Sequence, residues 1–402
     1  MKLSSRNSLI NKSQTIAVSN LASDLKAEGE NVISFGAGEP DFPTPAYICS
    51  AADEAMEKGY TRYTPAEGLK KLRQAAADRF ADDYGFRFSV DEIIASNGAK
   101  QVLYNIFQTL LDSKEEVIIP KPYWVSYPEM VKLADGVPIF VEGERENHFK
   151  LTPNLLNSAI TDRTKAVIVN NPSNPDGRVY TEKELLALCE VVEKHDILLI
   201  SDEIYEKFLF DDLNFKSIIS LRPDLKDNLF IVNGMSKTYS MTGWRLGFGF
   251  GNKELIANMS KIQSHSTSNS NSITQYASFK ALQNRNLNSL IKDRCRIYEE
   301  RRDKMLAHMD KVEELSYIRP NGAFYLFVDI SSVLGGNYKG EKITDSVRFA
   351  EVLLREEKVA VVPGAGFGMD DYIRMSFVLP VEEILEGIDR IDRFVKNFSK
   401  KR

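Results

Sequence analysis

From residue 92 onward the hydrophobic positions fall into short, continuous aliphatic runs separated by stretches with a helical repeat. The runs are EIIAS (92–96), EVIIP (116–120), VPIFVE (137–142), KAVIVN (165–170), ILLIS (197–201) and NLFIVN (228–233), and a glycine-rich run at 246–251 closes the series. Runs this short, with no polar alternation, predict strands buried on both faces of a largely parallel sheet. Between them QVLYNIFQTLL (101–111) and EKELLALCEVVEKH (182–195) have helical spacing, so strand and helix alternate as in an α/β layer structure.

The flanking segments differ in pattern. Residues 13–28 read as an amphipathic helix leading to a strand at 32–35 and a Gly/Pro-rich turn at 36–43. Thr44-Pro45 reads as an N-cap followed by proline at the first helical position, with Gly59 closing that helix. A loop at 60–65 follows, and Gly68 precedes a helix of mixed charge. Helical patterns run from about 253 to 312, interrupted at 264–272 by a Ser/Asn-rich stretch whose composition reads as a flexible linker. Beyond residue 317, strands at 323–330, 359–364 and 372–378, a helix at 346–357 and a last helix form a smaller α+β unit. In that last helix Ile384, Leu385, Ile388, Ile391, Phe394, Val395 and Phe398 line one face.

Length and composition narrow the function. A chain of 402 residues exceeds one small core and predicts two domains sharing a hinge. With 43% hydrophobic and 27% charged residues it has the make-up of a soluble globular protein. The net charge of −5, with Lys400-Lys401-Arg402 as its basic run, argues against a nucleic-acid partner. Cys49, Cys189 and Cys295 lie far apart without a CxxC, which suits a reducing compartment better than a disulfide framework or a metal site. The N-terminus lacks the apolar core of a signal peptide and no apolar run reaches membrane-spanning length, so a cytoplasmic protein is expected.

Several catalytic motifs fail on spacing. Gly36-x-Gly38 meets Asp41 where a dinucleotide fingerprint needs glycine, and Gly234-x-Ser236 is followed by Thr238 where a nucleophile elbow needs glycine. Instead, chemistry-bearing residues collect where buried strands end, the ligand edge of an open α/β sheet. Lys237, in the loop between the runs at 228–233 and 246–251, has Ser236 and Arg245 nearby. A lone loop lysine is ordinarily solvated, whereas a desolvated one sheds its proton and becomes a nucleophile. Asp202 closes the run ILLIS; such an Asp can be a structural acceptor or can hold a proton on a heterocyclic nitrogen. Asn174, in NNPSNPDG, could serve a turn or donate to a ligand oxygen. Gly98-Ala99-Lys100 open a helix after a strand, a geometry that offers amides to an anion. Trp124 follows a strand in KPYWVSY, and an aromatic there packs into the core or stacks on a planar ring.

Together and in order, IIPKPYWVSYPE, NNPSNPDGRVY, ISDEIY, SKTYSMTGWRLG and YIRMSF resemble the class I pyridoxal-phosphate (PLP) aminotransferases of fold type I, over nearly the whole chain. The likeness is nearest to the bacterial aspartate and aspartate/prephenate branch. It implies a large PLP-binding domain at 46–290, a mostly parallel sheet flanked by helices, and a smaller α+β domain built from 1–45 and 291–402. It also implies that Lys237 bonds covalently to the cofactor, that Asp202 pairs with the pyridine nitrogen, that Tyr205 and Asn174 bond the phenolic oxygen, and that Trp124 stacks on the ring. Gly98, Ala99, Lys100, Ser236 and Arg245 are placed around the phosphate, joined by Tyr63 of a neighbouring subunit in a homodimer with shared sites. Arg374 and Asn174 would hold the substrate α-carboxylate, with Trp124 beside it and Gly38 closing over it. Lys100, Ser13 and Thr15 would recognise a side-chain carboxylate. The Ser/Asn-rich stretch, by the same likeness, lies near the dimer contact and the site rather than acting as a linker.

The expected reaction is transfer of an amino group from an L-amino acid, with aspartate foremost, to 2-oxoglutarate in a ping-pong cycle. Aromatic amino acids or prephenate are alternative substrates, and a lyase on the same cofactor is an alternative reaction. A cofactor-sensing regulator would need a basic DNA-binding segment that this sequence does not carry.

Overall fold

The computed structural model describes residues 1, 3–11 and 14–399, without the side chains of 14–17, 19 and 399. Seven strands form the principal sheet, in the order Ile93–Ser96, Gly247–Phe250, Leu229–Gly234, Leu198–Asp202, Thr164–Asn170, Glu116–Lys121 and Val137–Glu142. Gly247–Phe250 alone runs against the rest, antiparallel to both of its neighbours. Five of the seven are buried along most of their length, because helices cover both faces and continuous Val/Ile runs satisfy both. Gly247–Phe250 is buried as well, and its glycines let the ring of Phe230 and the side chain of Val102 approach closely. VPIFVE departs from the expectation: it is the edge strand, and Val137 and Phe140 remain about two-fifths exposed.

A second sheet, Val362–Pro363, Tyr372–Ser376, Tyr325–Asp329 and Ser316–Tyr317, is antiparallel throughout. The helix Ser346–Glu357 packs on it, and Val381–Lys396 packs against that helix and Leu287–Met309, burying Ile384, Ile388, Ile391, Phe394 and Val395. Phe398 falls beyond that helix, in a two-residue strand paired with Asn337–Tyr338. Ile33–Ser34 pairs in parallel with Val359–Ala360, which ties the N-terminal segment to the C-terminal one.

Two local expectations are corrected. Thr44 does not cap the helix Ala46–Glu57; its hydroxyl donates 2.6 Å to the Ser240 carbonyl and accepts from Trp244 Nε1 at 3.0 Å, so it serves the Lys237 loop. Residues 264–272 are not a linker. The helix Lys253–Ser266 runs into them, and Asn271 caps the next helix, Ser272–Gln283, by accepting from the Thr274 amide at 2.9 Å. Polar composition misleads here because short turns between helices need capping side chains as much as linkers need solubility.

Candidate active site

The antiparallel pair Leu229–Gly234 and Gly247–Phe250 carries Lys237 in the loop that joins them. Gly234 stands opposite Gly247, so both ends of the loop are pinned in the ladder. A Cβ on Gly247 would lie 2.2 Å from the Ala99 amide nitrogen, so only glycine lets the start of the helix Ala99–Leu110 press against this strand. Gly98, which caps that helix with φ +84° and ψ 163°, packs against the Arg245 guanidinium. Lys237, Ala99 and Arg245 thereby converge on one cavity of about 600 Å³.

Within the cavity the Lys237 ammonium donates to the Gly38 carbonyl. Desolvation lowers its amine to about 8, with the Glu39 carboxylate pulling the other way. Glu39 is itself tied to the lysine loop, accepting from Thr242 Oγ1 at 2.5 Å. An amine in this range is a competent nucleophile toward a carbonyl carbon near neutral pH.

Asp202 is the last residue of its strand, and the turn that follows sends Glu203 elsewhere. Glu203 accepts from Ser201 Oγ at 2.9 Å and Ser217 Oγ at 3.0 Å, and burial pushes it up to about 8. Asp202 faces the cavity; its Oδ2 accepts from the Tyr127 hydroxyl at 2.6 Å and its Oδ1 from the Ile204 amide at 3.3 Å. Burial pushes its carboxyl up to about 6, against those hydrogen bonds. Among the described residues it has donors but no ion pair, and a cationic ring nitrogen would supply one.

Asn170 assembles the neighbouring loop. Its amide donates to the Asp202 carbonyl at 2.9 Å, and its Oδ1 accepts from the Asn174 amide at 2.8 Å. Asn174 Oδ1 in turn accepts from Arg374 Nη1 at 3.0 Å, and Arg374 Nη2 donates to the Gly36 carbonyl at 3.2 Å. Arg374 is 2% exposed, its Nε has no hydrogen-bond partner, and burial holds its pKa below the usual guanidinium value. A buried guanidinium that meets only neutral groups is a receptor for a carboxylate.

Around these groups lie Tyr205, whose hydroxyl is 2.9 Å from that of Tyr325, and Trp124, with the Lys100 amine 5.0 Å from its ring centroid. Desolvation, and then the Arg245 charge, lowers the pKa of Lys100. Arg245 donates to the carbonyls of Thr242 at 2.8 Å and Asn97 at 3.2 Å. Gly38, Ala99, Lys100, Trp124, Asn174, Asp202, Tyr205, Ser236, Lys237, Arg245 and Arg374 all line the cavity. Tyr63 does not: its side chain is 91% exposed, outside the lining of its own chain's cavity. Ser13 and the side chain of Thr15 lie outside the described residues.

Tyr127, Asn170 and Tyr325 also belong to the site, although local sequence pattern does not single them out. Tyr127 stands three residues after Trp124, one helical turn on, which is the only signal that it shares the site. Tyr325 gives none, because its place depends on strand register. The donor set fits pyridoxal phosphate: a low-pKa amine, a buried carboxyl with no ion-pair partner among the described residues, and a helix start with Arg245 against its glycine.

Known proteins place this arrangement. The family described as "Aminotransferase class I and II" matches residues 30–391. An aspartate aminotransferase of Bacillus subtilis is 45% identical over 99% of this chain and the whole of that protein. A probable aspartate/prephenate aminotransferase of Rickettsia felis is likewise 45% identical, covering 99% of this chain and 98% of its own. Among solved structures, the aspartate aminotransferase of Rhizobium meliloti superposes with a TM-score of 0.94 at 37% identity, over 99% of this chain and all of that one. The Thermus thermophilus enzyme with maleate gives 0.92 at 38%, over 98% of this chain and all of that one. The chain therefore belongs to the aminotransferase class I and II family and is a pyridoxal-phosphate-dependent aminotransferase.

Proposed function

We propose that this enzyme moves the amino group of aspartate to 2-oxoglutarate in a cytoplasmic ping-pong cycle. The observation that carries the reading is the buried Arg374–Asn174 pair in the same cavity as the Lys237 amine. A guanidinium with neutral partners accepts an α-carboxylate through two parallel hydrogen bonds, which fixes the Cα–H direction relative to the base. Lys100, whose amine meets the face of Trp124 and no carboxylate among the described residues, supports a second carboxylate on the substrate. Ser13 and Thr15 belong to the same proposed set. The Rickettsia felis relative's name favours prephenate as a further substrate.

Pyridoxal phosphate, when bound, supplies an electron sink for the carbanion left at the substrate Cα. Lys237 would hold the cofactor through its amine, and once free that amine would take the proton from the substrate Cα as a general base and deliver it as an acid to the cofactor carbon. Asp202 keeps the ring nitrogen protonated, while Tyr127 and the Ile204 amide hold that carboxylate in place. Tyr205 and Asn174 would bond the phenolic oxygen, and Trp124 would cover the ring. Ala99, Lys100, Ser236 and Arg245 would hold the phosphate, with Tyr63 reaching in from the other subunit of a homodimer. Gly38 closes the site when the unit formed by 1–45 and 291–402 moves against 46–290.

The test is a panel of amino acids offered with 2-oxoglutarate to purified protein, following keto-acid formation. Aspartate is expected to exceed alanine by about a hundredfold in kcat/KM, because only a substrate with a distal carboxylate adds an ion pair to Lys100. Equal rates for the two would overturn the specificity, and pyruvate and ammonia released without an acceptor would replace transamination with a lyase reaction.

A further inference from the structure

The strands Tyr325–Asp329 and Tyr372–Ser376 pair antiparallel, with Tyr325 opposite Ser376 and Phe327 opposite Arg374. Alternate residues share a face, so Tyr325 and Arg374 stand diagonally across the ladder on one side. The Arg374 guanidinium carbon lies 4.3 Å from the Tyr325 ring centroid. The Tyr325 hydroxyl in turn meets the Tyr205 hydroxyl at 2.9 Å, the two rings crossing at 82°. Both tyrosines are almost wholly buried and both line the cavity. A Cβ on Gly38 would stand 3.6 Å from the same Tyr325 oxygen, so the closing segment packs over this pair. The charged groups facing the pair are Arg374, Asp202, Glu39 and Lys237.

Between two phenols only one can donate, and the acceptor's own proton is left to point elsewhere. The Arg374 charge over the face of Tyr325 favours electron density on that ring and makes its hydroxyl the more acidic of the two. Tyr325 therefore donates and Tyr205 accepts. The proton of Tyr205 then faces the cavity, and a hydroxyl that accepts one hydrogen bond donates the next more strongly.

We propose that Tyr325 is a positioning residue for the reaction, which by donating to the Tyr205 oxygen beneath Arg374 fixes the Tyr205 O–H as the donor to the cofactor's phenolic oxygen. This rests on the reading of Tyr205 as the partner of that oxygen. Tyr325 makes no bond to the reacting atoms; it sets the direction and strength of one that does.

Tyr325→Phe keeps the ring against Arg374 and deletes the hydroxyl alone. The readout is a pH titration of the bound cofactor's visible absorbance in the purified holoenzyme, for wild type, Tyr325→Phe, Tyr205→Phe and the double variant. Weakening a donor to an ionised phenolic oxygen disfavours the deprotonated form, so the midpoint rises. Tyr325→Phe is expected to raise it by a few tenths of a pH unit, about a two- to fivefold change in proton affinity, and Tyr205→Phe by more. In the Tyr205→Phe background the second change should do nothing. An unchanged midpoint in Tyr325→Phe, or an equal shift in both backgrounds, would overturn the proposal. If Tyr205→Phe leaves the midpoint in place, the reading of Tyr205 is wrong and the proposal falls with it. A lower melting temperature with an unmoved midpoint would show a packing role only, which also overturns it.

Discussion

Lys237 and Asp202 face one cavity and are perturbed in opposite senses for one reason, since burial disfavours charge on either. Lys237 releases its proton at about 8 in the fold and near 10.5 when unfolded. Between those values the unfolded chain binds more protons, so this group's contribution to stability rises with pH and is lost as pH falls through about 8. Asp202 keeps its proton up to about 6 in the fold against 3.8 unfolded, so its contribution is present below 3.8 and is lost as pH rises through about 6. The rate of covalent cofactor capture by the cofactor-free protein should accordingly climb through pH 8 rather than pH 10, as stopped-flow absorbance would register. Lys237→Ala should abolish turnover and the borohydride-trapped link to the cofactor; a retained link would move the covalent site to another lysine. For Arg374→Lys the charge survives but the two-pronged geometry is lost. We expect kcat/KM for aspartate to fall by roughly 2–4 kcal/mol, about 30- to 1,000-fold, with fold and cofactor content intact by circular dichroism and absorbance.

At the scale of elements, the anion cradle depends on one backbone conformation. Gly98 has φ +84° and ψ 163°, a region essentially closed to other residues, and a Cβ there would stand 2.6 Å from Arg245 Nη2. Gly98→Ala should cost about 1–3 kcal/mol of backbone strain, displace Arg245 and weaken cofactor binding about tenfold or more, measured by equilibrium dialysis. A variant with wild-type affinity would remove Arg245 and the helix start from the phosphate site. Elements such as Val137–Glu142 and Glu182–His195 were legible to the residue from a short apolar run and from helical spacing, and the structure adds a Thr181–Glu184 capping box at the start of the helix. What the edge strand's neighbours would be was not legible, because exposure is set by sheet order. Asn174 and Arg374 could be picked out by motif, but their 3.0 Å contact joins residues 200 positions apart. Thr44 failed as a cap for a similar reason: its hydroxyl found a partner 196 residues away that local pattern cannot reveal.

At the scale of the whole molecule, Tyr63 bears on the proposed homodimer. Tyr63 projects with its side chain 91% exposed from a loop that is otherwise firmly held: Ser272 Oγ donates to the Tyr60 carbonyl at 2.7 Å, and Gln275 Nε2 to Thr64 Oγ1 at 2.9 Å. A fixed loop presenting a large exposed aromatic is consistent with the proposed contact with a second copy. If Tyr63 completes the partner's phosphate site, Tyr63→Ala should weaken cofactor binding by about 1.5–3 kcal/mol, the usual range for a hydrogen bond to a charged group. Complementation separates a residue acting across the interface from one acting within its own chain. In a mixed dimer of Lys237→Ala and Tyr63→Ala subunits, the site built on the Tyr63→Ala subunit keeps its own Lys237 and receives an intact Tyr63 from its partner. Co-refolding the two defective proteins should therefore restore activity that neither has alone, at cofactor concentrations too low to load Tyr63→Ala dimers. If Tyr63 instead serves its own chain, every site in the mixture lacks one residue and no activity returns. Sedimentation of the mixture confirms that dimers formed, so a silent mixture of dimers would rule out the shared site.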